Sequence, residues 1–134
     1  MKTLPAIDTF TRAYIACALW SSNDESTPQG GEPFEANYCI EDFAPEAIAQ
    51  AVADCARFQA ENAADILAAG LTSERAGHNF WLNRNGHGSG FWDEKMESAG
   101  DPEPECQACD RLSDACRHYG ELSPYLGDDG QIYF

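Results

Sequence analysis

The sequence predicts an α+β fold, with an antiparallel sheet of two β-hairpins packed against two or three helices. Three observations carry that prediction. The stretch Gly77 to Asp93 sets the aromatic pairs Phe80-Trp81 and Phe91-Trp92 on either side of Gly86-His87-Gly88-Ser89-Gly90. Aromatic segments flanking a glycine-rich centre predict a hairpin over about 78–93. Gly127-Asp128-Asp129-Gly130, between Tyr125-Leu126 and Ile132-Tyr133, predicts a second hairpin over about 122–134. Ile48, Val52, Cys55, Phe58 and Ile66 make a long apolar stripe, which predicts one helix over about 45–69.

In chain order, Phe10, Tyr14, Cys17 and Ala18 recur at helical spacing, so a first helix is expected over about 9–20, capped by Asp8 or Thr9. Ser21 to Pro33 carries no apolar residue and reads as a surface loop. Pro45 suits the first turn of the long helix, Glu46 suits its positive end, and Gly70 is placed to close it. Unbroken, that helix would be roughly 37 Å long and would span the molecule. Thr72-Ser73-Glu74-Arg75 reads as a short capped turn. Leu112, Ala115, Cys116 and Tyr119 mark a further helix over about 107–119. Helices and hairpins so segregated define a single α+β domain over residues 1–134.

Charge narrows the function classes. Eight Lys and Arg stand against 23 Asp and Glu, a formal net charge of −15. Spread along duplex DNA, that charge corresponds to about 25 Å of helix, comparable with the diameter expected of the protein. Direct binding to nucleic acid or to an anionic membrane is therefore disfavoured, and basic proteins are the better partners. The opening Met1-Lys2-Thr3-Leu4-Pro5 lacks a long apolar run, so a cytoplasmic setting with reduced cysteines is expected.

Few groups are patterned for chemistry. Cys106-x-x-Cys109, with Cys116 and His118, is the most metal-like set, but a second Cys-x-x-Cys is missing and residues 116 and 118 diverge on a helix. No metal or cofactor is therefore expected. His78, Arg84, Asn85 and His87 would share the first hairpin and make a polar site for acid–base chemistry or a ligand. The sequence sets no nucleophile beside them except Ser89. The glycine loop lacks the lysine and following helix of a phosphate loop.

The segments Ala18-Leu-Trp-Ser-Ser-Asn-Asp-Glu25, Ala76 to Asp93 and Tyr125 to Tyr133 resemble a group of small acidic proteins of bacteriophages and related mobile elements. The resemblance covers most of the chain and brings no catalytic residues. It implies a phage accessory protein in a bacterial host cytoplasm. In that context acidity suits an inhibitor of the antirestriction or anti-CRISPR type, whose surface competes with nucleic acid for a basic host protein. The expected contact residues are Glu46, Asp54, Glu61, Asp65, Asp93, Glu94, Glu97, Asp101, Glu103 and Glu105. Two other readings stand beside it: a small enzyme or ligand- or metal-binding domain using the hairpin site, and a phage structural or assembly factor.

Overall fold

A computed structural model describes residues 7–24, 32–85 and 103–134. Its elements are α1 (Thr9–Ser21), β1 (Asn23–Asp24), β2 (Glu32–Pro33), α2 (Pro45–Ala68), α3 (Ser73–Arg84), α4 (Glu103–Cys116), β3 (Tyr125–Leu126) and β4 (Ile132–Tyr133). The described chain is mostly helical, and its strands are two separate two-residue antiparallel pairs, β1 with β2 and β3 with β4. The predicted α+β sheet of two hairpins is therefore incorrect.

The first hairpin fails because its leading half is a helix. Gly77, Phe80, Trp81 and Arg84 are all buried, at the 3, 4, 7 spacing of a helical face. The Thr72 hydroxyl accepts a hydrogen bond from the Arg75 amide at 3.1 Å and caps that helix. What reads as a short capped turn is thus the start of α3. The rest of the predicted hairpin, residues 86–93, lies outside the described residues.

The other helices follow from local chemistry. The Asp8 carboxylate caps α1 by accepting from the Thr11 amide at 2.8 Å. It also accepts from the Gln59 amide group at 3.1 Å, which ties the start of α1 to α2. Burial opposes ionisation of Asp8, but these hydrogen bonds prevail and hold its carboxyl below the usual range. Proline occupies the first turn of α2. The long helix is not straight: Asn62 leaves helical geometry (φ −124°, ψ 15°), and its side-chain amide donates to the Phe58 carbonyl at 3.0 Å. A side chain that claims the carbonyl four residues back competes with the backbone ladder and bends the helix. At the far end Gly70 adopts φ +71°. The amide of Gly70 donates to Leu67 at 3.0 Å and that of Leu71 to Ile66 at 3.3 Å, a Schellman closure.

The core lies where α1, α2 and α3 meet, with α4 and the C-terminal segment closing it. Phe58 stacks on Phe80 with ring centroids 4.2 Å apart. Tyr14 meets the edge of Trp81 at 5.2 Å, and Phe80 meets Tyr119 edge-on at 4.9 Å. Trp81 is fully buried, and its indole N–H donates to the Ser21 hydroxyl at 2.8 Å, so its burial leaves no polar atom unsatisfied. The Ala44 amide donates to the Ile132 carbonyl at 2.9 Å, which seats β4 against the entry to α2.

Gly77 sets the approach of α3 to α1. A methyl group there would overlap the Phe10 carbonyl oxygen and lie 2.9 Å from its carbon. The obstacle is backbone, so only separation of the helices relieves it. Gly77→Ala should therefore destabilise by about 2–3 kcal/mol, net of the roughly 1 kcal/mol that alanine gains in a helix. Urea unfolding of the two proteins measures the difference, and an unchanged midpoint would contradict the close contact.

Candidate functional site

Of the four residues of the predicted hairpin site, the three that are described lie on a helix or at its C-terminal cap, which does not bring His78 together with Arg84. In a strand, residues 78 and 84 would share a face; six steps along a helix set them about 120° apart around its axis. Arg84 faces inward and is 5 % exposed. Its Nη1 donates to the Tyr14 hydroxyl at 2.8 Å and to the Asp54 carboxylate at 3.0 Å. Nη2 donates to the Tyr119 carbonyl at 2.8 Å and Nε to the Gly120 carbonyl at 3.0 Å. The guanidinium carbon also lies 5.6 Å from the centroid of Phe80 and 5.5 Å from that of Tyr119. Arg84, on α3, is thus a structural cross-link to α1, to α2 and to the segment that follows α4. Asn85 has a similar role: its amide donates to the Trp81 carbonyl at 2.9 Å and its oxygen accepts from the Leu122 amide at 2.7 Å. His87 lies outside the described residues.

His78 lines a cavity. Its ring lies 5.9 Å from Trp20, over a groove of about 400 Å³ between α1 and the start of α3. Ala13, Ala16 and Cys17 form one wall; Glu35, Thr72, Glu74 and Arg75 supply polar groups. Trp20 is 54 % exposed, so this indole is a surface group and not part of the core. The spacing 13, 16, 20 on the outer side of α1 is the signal that exposes it: two alanines and a tryptophan opposite the buried stripe. Cys17 is no nucleophile here, because burial pushes its thiol up to about 12 and keeps it protonated at neutral pH. The groove combines an aromatic face with mixed charge, which are binding features.

Of the metal-like set, Cys109 and Cys116 are buried in the core while His118 is exposed; Cys106 belongs to the first turn of α4. Burial also raises the Cys55 and Cys116 thiols. Among the described residues no cluster of three or more His, Cys, Asp or Glu is placed to hold a metal ion.

The acidic stripe of α2 is largely engaged by this chain's own arginines. Asp54 pairs with Arg84 at 3.0 Å, Glu61 with Arg57 at 2.6 Å and Asp65 with Arg111 at 2.7 Å. Glu46 is exposed in the first turn of α2. Glu103 and Glu105 belong to the first turn of α4, and Asp93, Glu94, Glu97 and Asp101 lie outside the described residues. Among the described residues no helix is long and apolar enough to cross a membrane.

Comparison with family models, curated proteins and solved structures finds no match to the chain.

The Arg84 cross-link separates two tyrosines. Tyr14 gives the buried guanidinium an acceptor, whereas the buried hydroxyl of Tyr119 has no partner among the described residues. Tyr14→Phe should lower stability by about 1.5–3 kcal/mol, the range for a hydrogen bond to a charged group. Tyr119→Phe should leave stability unchanged or slightly raised. Thermal denaturation of both variants checks the contrast, and equal losses would refute it.

Proposed function

We propose that the protein is a small acidic accessory protein of phage type that binds a basic host protein and inhibits or regulates it by competing with nucleic acid. The observation that carries this reading is the balance of charge. The chain has eight cationic residues against 23 carboxylates. Of the six arginines among the described residues, Arg57, Arg84, Arg111 and Arg117 form ion pairs within the chain. The field at a distance is therefore strongly negative, and it would steer a basic groove towards the protein and repel nucleic acid.

The test is capture from bacterial lysate on the immobilised protein at low salt, followed by elution with salt and, separately, with duplex DNA. A basic nucleic-acid-binding enzyme should leave at moderate salt, because exposed charge pairs are screened within about 10 Å at 0.1 M. The same enzyme should be displaced by DNA. Retention indifferent to both eluents, or no retained enzyme, would overturn the reading.

A ligand-binding reading is favoured by one feature, the groove beneath Trp20 and His78. It requires His78→Ala to lose ligand while the fold persists, with Trp20 fluorescence as the probe.

A further inference from the structure

The acidic residues differ in what surrounds them, and that difference locates a docking surface. Along α2 and α4 the carboxylates are laced with arginine. The opposite holds where the entry to α2 meets the C-terminal strands. No Lys or Arg occurs from Ala13 to Ala56, nor from His118 to Phe134. These two cation-free stretches meet in space: Phe43 pairs with Ile132, and the Ala44 amide donates to the Ile132 carbonyl at 2.9 Å. Glu41 and Asp42 lead into that junction and Glu46 leaves it.

On its outer side the hairpin forms a shallow concavity of about 470 Å³, lined by Tyr125, Leu126, Gly127, Asp128, Asp129 and Tyr133. Tyr125 is 54 % exposed and stacks on Tyr133 with centroids 5.7 Å apart and planes 19° from parallel. The Tyr133 hydroxyl donates to Asp129 at 2.5 Å, and Asp129 also accepts from the Gln131 amide at 3.0 Å. The tyrosine pair is thus held in place before any partner arrives, so little side-chain freedom is lost on contact. The bond to Asp129, followed by desolvation and the nearby negative charge, pushes the Tyr133 hydroxyl up to about 12.

We propose that this hairpin and the first turn of α2 form the docking surface for an arginine-rich segment of a basic protein partner. The inference rests on the proposed acidic binding function and gives it a place. An arginine side chain matches the surface in two ways. Its planar guanidinium stacks on an aromatic face, and its fork of N–H donors pairs with carboxylates. A lysine ammonium matches the charge but neither the plane nor the fork. The groove beneath Trp20 is of mixed charge, with Arg75 beside Glu35 and Glu74, whereas Asp128 and Asp129 are the charged groups that line the hairpin concavity.

Fluorescence polarisation of labelled oligo-arginine and oligo-lysine peptides of equal length, at low salt, tests the assignment. The wild-type protein should bind oligo-arginine more tightly. Tyr125→Ala should weaken oligo-arginine binding about tenfold and oligo-lysine binding less than about twofold. Asp128→Asn should weaken both about threefold, whereas Glu61→Gln should change neither, because Glu61 lies on the arginine-laced side. Circular dichroism confirms that each variant is folded. If folded Tyr125→Ala binds both peptides like wild type, or Glu61→Gln costs as much as Asp128→Asn, the surface is overturned. In that event, continued salt-sensitive capture of a basic enzyme would leave the broader function standing. A wild-type protein that binds neither peptide nor basic enzyme would overturn both.

Discussion

A single buried guanidinium holds this fold together. Arg84 ends α3 inside the protein and meets Tyr14 of α1, Asp54 of α2 and the carbonyls of Tyr119 and Gly120 beyond α4. Removing such a charge from water costs several kcal/mol, recovered only if nearly every donor finds an acceptor. The geometry answers that demand, and the rings of Phe80 and Tyr119 cover the cation. The result is specificity as much as stability. An apolar side chain would let the helices slide, whereas a fork of directed bonds admits few arrangements.

Gly77 has the complementary role about two turns earlier in α3. It brings the helix backbone onto Phe10, and that closeness lets Phe80 and Trp81 reach the aromatic cluster of Tyr14 and Phe58. Close approach at one end and a directed polar bond at the other fix α3 in both translation and rotation. The site-bearing surfaces are then set by what α3 leaves outside: His78 beside Trp20 on one side, and on another the hairpin seated against the entry to α2.

Legibility in the sequence followed how local each signal was. The stripes of α1 and α2 are repeated many times over, so their period is unambiguous. In α3 the aromatics are adjacent pairs and the glycines resemble turn residues, so composition pulled towards strands although 77, 80, 81 and 84 already carry a helical period. Gly77 is a contact glycine, a role that depends on a residue 67 positions away in sequence and leaves no local mark. The acidic face was blurred for the same reason. Asp54 and Asp65 find their arginines 30 and 46 residues along the chain, so no inspection of α2 alone separates engaged carboxylates from available ones. The cation-free stretches before Arg57 and after Arg117, by contrast, are visible in the sequence; their meeting is not.

The reach of the Arg84 bonds bears on how the chain folds. Tyr14 lies 70 residues from Arg84 and Gly120 lies 36 beyond it, so the central polar knot closes large loops on both sides. Helical proteins usually fold fast because their contacts are local. Here the helices can form early, yet two of the acceptors of the Arg84 guanidinium, the Tyr119 and Gly120 carbonyls, arrive only with residues near 120. On the ribosome, α1 and α2 would emerge as amphipathic segments well before their lock is synthesised. Fast local structure is thus coupled to a late, all-or-none assembly step, and the exposed aromatic surface before that step is the interval in which the nascent chain is most open to misassembly.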